Sequence, residues 1–279
     1  MIINFLDKLF NNKSIISSLL KRIIKKLPYF KSSILVKLNA TERPPYAYCL
    51  YHAARLAKKL NHKTFSVIEF GVAGGNGINF IEKFSKKISK ELNINIEIYG
   101  FTLEKGLSNP ADYRDLPYWF SSGYFSTNKD KLLKKLKSSK IIFGDVKETT
   151  KDFFDTYNPA PLGVVFNDLD YYSSTINSFN IFSSEQKNYL PRIFCYFDDI
   201  IGNEIEMYGE FNGELAAIKK FNNDNLNKKF VLNQNLIATL NEPWRYQIYY
   251  YHDFMHPQYN IFISNEEQIK QNEDLKLKN

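Results

Sequence analysis

Val67-Ile68-Glu69-Phe70-Gly71-Val72-Ala73-Gly74-Gly75-Asn76-Gly77 joins an apolar segment of β type, Thr64 to Phe70, to a helix-like stretch, Ile78 to Leu92. Strand, glycine turn and helix in that order present bare backbone N–H groups and the positive end of a helix to a ligand. The glycines read GxxGGxG, not GxGxxG, and Glu69 lies two positions before the first of them. A carboxylate beside the turn repels a pyrophosphate and suits a ligand carrying a cationic group. Without a ligand the same glycines make a tight connection and nothing more.

The stretch resembles motif I of class I S-adenosylmethionine-dependent methyltransferases, [ED]xGxxxGxG, with matches at Glu69, Gly71, Gly75 and Gly77. The resemblance implies that this turn, Gly74 included, wraps the methionine part of S-adenosyl-L-methionine. It also implies a Rossmann-like α/β fold with a seven-stranded, mostly parallel sheet and helices on both faces.

A chain of 279 residues can bury one large core, and its 23 Phe and 19 Tyr supply ample core material. Two cysteines are too few for a disulfide framework, and Cys195, inside the apolar run Ile193 to Phe197, reads as a buried thiol in a reducing cytoplasm. The net charge of +7 is concentrated in residues 1 to 40, where eight Lys or Arg face Asp7 alone. The remaining body is neutral, which excludes a nucleic-acid surface spread over the whole chain. Three domains are expected: a basic amphipathic helical arm over 1–45, the catalytic body over 46–264 and a polar, frayed tail over 265–279.

The arm is not read as a signal peptide, because its longest uncharged stretch, Ser14 to Leu20, is short and carries three serines. Its apolar residues recur three to four apart from Ile2 to Leu38, predicting one or two amphipathic helices broken near Pro28. Packing on the body, or on a second subunit of a homo-oligomer, is the expected use, with peripheral contact to an anionic membrane as the alternative. No span reaches the ~20 apolar residues of a membrane helix, so a soluble, cytoplasmic protein is expected.

Beyond Pro44-Pro45, helices are predicted over Tyr46–Leu60, Gly77–Leu92, Lys129–Leu136, Tyr172–Phe182 and Glu210–Phe221. Strands are predicted over Thr64–Phe70, Ile94–Phe101, Lys140–Phe143, Leu162–Asn167, Pro191–Phe197, Lys229–Val231, Leu236–Leu240 and Tyr246–Tyr251. Alternation of strand and helix implies parallel pairing through right-handed crossovers.

Two of these strands run into acidic clusters, Asp168-Leu169-Asp170 and Asp198-Asp199. Ligands of an open parallel sheet bind beyond the carboxyl ends of its strands, where the glycine turn also opens. Adjacent like charges need a cation, and oxygen-only ligands favour Mg²⁺ or Mn²⁺ over Zn²⁺. Capping of the following helices accounts for one acid at each strand end and leaves its companion unexplained.

Asp168-Leu169-Asp170-Tyr171-Tyr172-Ser173-Ser174-Thr175 is similar to the DxDxYxST stretch of the macrocin O-methyltransferase (TylF-like) family, and Asp198-Asp199 to that family's second acidic pair. The resemblance covers roughly residues 64 to 202. It implies metal-dependent methylation of a sugar hydroxyl, with Asp168, Asp198 and Asp199 as metal ligands, and Asp168 and Asp170 in catalytic positions. It also places Asp168 beside the cofactor. The neutral body, with Arg114 and Arg192 as phosphate partners, extends the expectation to a nucleotide-linked sugar for surface polysaccharide biosynthesis.

Several positions depart from the family pattern. Thr102 stands where an acid is expected to hold the ribose of the cofactor, with Glu104 as its substitute. Gly144-Asp145-Val146 falls where family members contact adenine; Asp145 is equally a helix cap. The long aromatic insert between Gly106 and Phe125 reads as a lid. The family takes a His base from this region, yet no His occurs between His62 and His252, so the base is expected to be Asp112, Tyr113, Asp115 or a residue from elsewhere, His252 or His256 among them. His252 and His256 have metal-ligand spacing only if helical, and the Tyr-rich run before them reads as a strand. Glu210 and Glu214 read as exposed helix acids. Two other readings remain open: a metal-independent O- or N-methyltransferase, tolerant of EDTA, and a non-catalytic partner subunit that docks through the arm.

Overall fold

The structure, a computed structural model, describes residues 30–263 and 266–276. Seven strands form one sheet in the order β3-β2-β1-β4-β5-β7-β6. They span Thr64–Phe70 (β1), Asn95–Thr102 (β2), Lys140–Phe143 (β3), Leu162–Asn167 (β4), Tyr189–Phe197 (β5), Lys228–Leu232 (β6) and Ile248–Asp253 (β7). The first five are parallel, and β7 runs antiparallel to both β5 and β6.

The central strands are apolar on both faces because both faces are covered. In β1, Phe65 and Val67 enter one core cluster, while Ile68 and Phe70 enter the other. The first cluster is covered by α1 (Ser32–Lys37), α2 (Pro44–Lys59) and α3 (Asn76–Leu92). The second is built under the short helices α5 (Val146–Thr149) and α6 (Phe153–Tyr157) and under α7 (Tyr172–Ser178) and α8 (Gly213–Asp224). Cys49 and Cys195 are free thiols buried in these cores.

Three expectations need correction. Leu236–Leu240 is not a strand but lies in α9 (Gln234–Thr239), because the side chain of Asn233 caps it by accepting the Leu236 N–H at 3.2 Å. Residues 172–182 start as α7 but tighten into a 3-10 turn at Phe179–Ser183. The tail forms a helix, α10 (Glu266–Lys276), whose residues 268–276 are all exposed. Of the amphipathic arm, residues 1–29 lie outside the described residues; Leu35 and Leu38 pack into the first core cluster. No described helix is long and apolar enough to cross a membrane.

Candidate functional site

The carboxyl ends of all five parallel strands open on one cavity of about 350 Å³. Gly71 and Ala73 line it after β1, Thr102 and Leu103 at the end of β2, and Gly144, Asp145 and Val146 after β3. Asp168, Leu169 and Asp170 follow β4, and Asp198 and Asp199 follow β5. The volume lies in the range of small-molecule sites, and the lining mixes apolar walls with a few convergent polar groups.

Gly71 has φ +85°, and a Cβ there would sit 1.7 Å from the Asp168 carbonyl oxygen. Only glycine lets the end of β1 approach the end of β4 this closely. A Cβ on Gly77 would lie 1.8 Å from Glu69 Oε1, so the first turn of α3 packs directly on that carboxylate. Gly74, Gly75 and Gly77 shape the turn without lining the cavity; the Gly74 carbonyl instead accepts from Lys135 Nζ at 3.1 Å. Lys135 closes α4 (Lys129–Lys135).

Glu69 is 2% exposed. Its Oε1 accepts from the Tyr46 hydroxyl at 3.0 Å, and its Oε2 is buried with no partner. Burial pushes its pKa up to about 8, against the lowering effect of the Tyr46 bond and Arg43. An orphaned, buried carboxylate oxygen beside a glycine turn fits a ligand that brings a cationic or N–H group, as the methionine part of S-adenosylmethionine does. Tyr46, which no sequence pattern singled out, stacks on Phe166 with ring centroids 4.1 Å apart.

Asp168, Asp198 and Asp199 each offer an oxygen within 4.8 Å of the others. Burial, then neighbouring carboxylates, raise the pKa values of Asp168 and Asp199 well above the carboxylate range. Asp170 is raised to about 7 by burial and by Asp198. A cluster of one charge sign in a half-closed site is the donor set of a hard divalent cation, so the residues fit Mg²⁺ or Mn²⁺. The cluster is held firmly. Asp170 has φ +60°, and its N–H donates to Asp199 Oδ2 at 3.0 Å. Tyr196 donates a short hydrogen bond to Asp198 Oδ1, and Gln247 Nε2 donates to the Asp198 carbonyl at 2.8 Å. A left-handed non-glycine residue costs of order 1–3 kcal/mol and is kept where surrounding structure enforces it.

The base candidates distribute differently. Asp112 is tied to Arg114, with its Oδ2 2.6 Å from Nη2, and Arg114 stacks over Tyr172 at 3.9 Å. Tyr113 is 70% exposed, and neither Asp112 nor Tyr113 lines the cavity. His252 pairs with Arg192 near the start of β5, at the opposite end of the strand from Asp198, and its Nδ1 lies 2.8 Å from the Tyr259 hydroxyl. Arg192 and Arg114 are therefore both engaged away from the cavity. Glu104 also points elsewhere, forming an ion pair with Lys129 at 3.4 Å, while Thr102 shares a 2.9 Å hydrogen bond with Thr127. Asp145 lines the cavity and also caps α5, accepting from the Lys147 N–H at 2.8 Å.

The aromatic insert covers the cavity at its ends, through Gly106, Leu107, Ser108 and Phe125. Asp115 is fully buried and anchors it, accepting from Ala111 N, Ser173 N and Ser173 Oγ at 2.7 to 2.8 Å. Its middle packs Leu116 and Phe120 on Tyr171. Tyr118 then donates to the Glu206 carbonyl at 2.7 Å, joining the insert to the loop after Asp199.

Glu214 departs most from expectation. Glu210 is exposed but lies in the turn before α8, which starts at Gly213 and not at Glu210, and it pairs with Lys219 at 2.8 Å, whereas Glu214 is 0% exposed. Its Oε2 accepts the Asp199 N–H at 3.0 Å, and its Oε1 is buried without a partner. The helical period carries the missed signal, since Glu214 falls on the stripe of Ala217, Ile218 and Phe221.

With this topology and strand-end geometry in view, the chain is similar to solved methyltransferases. The calicheamicin methyltransferase CalS11 is 16% identical with a TM-score of 0.50, over 88% of this chain and 95% of that one. The O-methyltransferase NovP is 9% identical with a TM-score of 0.51, over 90% of this chain and 97% of that one. The fold is that of a class I methyltransferase. No family model matches the sequence, and no curated protein matches it.

Proposed function

We propose that the protein is an S-adenosylmethionine-dependent O-methyltransferase that acts on a sugar hydroxyl with the help of a divalent cation. The observation that carries this reading is the convergence of the Asp168, Asp198 and Asp199 oxygens, within 4.8 Å, on the cavity into which Gly71 opens. CalS11, named as a calicheamicin methyltransferase, and NovP, named as an O-methyltransferase, share the fold.

When bound, S-adenosylmethionine supplies an activated methyl group and the divalent cation acidifies the acceptor hydroxyl beside it. Gly71 and Ala73, with Glu69 buried behind the turn, would hold the amino-acid end of the cofactor, and Gly144, Asp145 and Val146 would form the wall for its adenine. Asp168, Asp198 and Asp199 would hold the cation. Asp170 lines the same cavity with its backbone fixed by Asp199, and its carboxylate is the group we assign as acceptor of the hydroxyl proton. The insert, anchored through Asp115, keeps water out. Alignment of the acceptor oxygen with the methyl carbon is the main catalytic contribution of such a site.

Arg114 and Arg192 do not serve acceptor phosphates in this arrangement, so the nucleotide-linked acceptor and a role in polysaccharide synthesis rest on assay alone. The test is transfer of labelled methyl to a panel of nucleotide sugars and simple glycosides, with and without EDTA. Transfer that EDTA abolishes and Mg²⁺ restores supports the reading. Transfer indifferent to EDTA replaces it with the metal-independent alternative.

A further inference from the structure

A carboxylate at the first turn of a helix is ordinary when it caps or faces water, because the helix dipole favours it there. Glu214 does neither with its second oxygen. It is fully buried in the first turn of α8, one oxygen accepts the Asp199 N–H at 3.0 Å, and the other finds no partner. Leaving a buried acceptor unsatisfied costs about 1–3 kcal/mol, and more for a charged group, so its retention here points to a ligand that completes it. The neighbours on its stripe, Ala217, Ile218 and Phe221, offer no counter-charge.

We propose that Glu214 is a fourth carboxylate of the cation centre, acting behind Asp199. One oxygen fixes the Asp199 backbone, and the other, buried and unpartnered behind that strand end, would add its charge to the field that holds the cation. Asp199 in turn fixes the Asp170 N–H through Oδ2, so a single side chain on α8 orders both acidic strand ends. The inference rests on the cation-assisted reading given above. Glu214 is a positioning residue, with a chemistry suited to hard divalent cations.

The test is calorimetric titration of Mn²⁺ into the full chain, paired with S-adenosylhomocysteine titration and thermal melting. Glu214→Gln keeps an acceptor for the Asp199 N–H and removes the charge. Its Mn²⁺ affinity is expected to fall about 10–100-fold, the usual effect of an outer partner, with S-adenosylhomocysteine affinity within about two-fold. Removing a buried unpaired charge should also raise its metal-free melting point while shrinking the rise that Mn²⁺ produces. Glu214→Asp, which keeps the charge, should bind Mn²⁺ more tightly than Glu214→Gln. Wild-type Mn²⁺ affinity in Glu214→Gln, or weaker binding in Glu214→Asp than in Glu214→Gln, overturns the proposal. A wild-type chain that takes S-adenosylhomocysteine but no Mn²⁺ overturns both this inference and the cation-assisted reading. One that takes neither overturns the methyltransferase assignment itself.

Discussion

The two ends of β5 both carry dense polar clusters, and they resolve their charges in opposite ways. At the start of the strand, Arg192 donates to the Tyr259 carbonyl at 3.0 Å and His252 meets the Tyr259 hydroxyl at 2.8 Å. His256 Nε2 lies 2.9 Å from the Gln186 carbonyl, and Asp253 accepts from Gln186 and from the Met255 N–H at 3.0 to 3.4 Å. That end mixes signs and uses most of its polar groups to hold the fold, with Arg192 Nη2 left buried without a partner. At the other end stand Asp168, Asp170, Asp198, Asp199 and Glu214, all acidic, with an orphaned oxygen on Glu214. A cluster of one sign is finished only by something the chain does not itself provide. Polar density alone therefore does not mark a site; unsatisfied polar density of one sign does.

The contrast is broken most severely by substituting the acids. Asp198→Asn or Asp199→Asn should lower kcat/KM by more than about 100-fold, beyond the 10–100-fold typical of outer partners, measured by methyl transfer under saturating Mg²⁺. Gly71→Ala comes next. Its Cβ would meet the Asp168 carbonyl at 1.7 Å in a left-handed backbone, so a loss of at least about 2 kcal/mol of stability is expected. Denaturant unfolding reads it, and cofactor binding should fall with it.

The acids also set a pH dependence for the metal-free protein. Burial holds Glu69 near 8 and Asp170 near 7, and raises Asp168, Asp199 and Glu214. All lie above their unfolded values, so the folded state binds the more protons and stability falls as pH rises from about 4.5 towards 8. Each excess proton contributes a slope of about 1.4 kcal/mol per pH unit. Metal-free melting should therefore be higher at pH 5.5 than at pH 8, with the difference reduced by Mg²⁺; a midpoint that rises with pH contradicts this. The smallest effect belongs to the other end of the strand, where His252→Gln should leave turnover within about two-fold, as expected for a change remote from the chemistry. A loss of 100-fold there would return His252 to the site.

Much of the fold was legible because local pattern and tertiary burial agree in it. β1, β3 and β4 begin and end where their apolar runs do. Leu236–Leu240 was misread because an apolar pentapeptide carries no period of its own, and the cap from Asn233 decided for helix. The site was legible wherever strand ends imply convergence, as at Gly71, Asp168, Asp198 and Asp199. The position of Asp112 and Tyr113 outside the cavity was not, because they belong to an insert whose path depends on the anchor between Asp115 and Ser173. Glu104 and Lys129 pair across the chain in a way no local rule foretells. Glu214 was within reach of the helical period but was read as an ordinary exposed acid.

Calorimetric titration of S-adenosylmethionine into the full-length protein tests the central claim most directly. The account predicts saturable one-to-one binding that Gly71→Ala weakens and His252→Gln leaves unchanged. Absence of binding at millimolar cofactor would contradict it, and the glycine turn would then be a tight connection between β1 and α3.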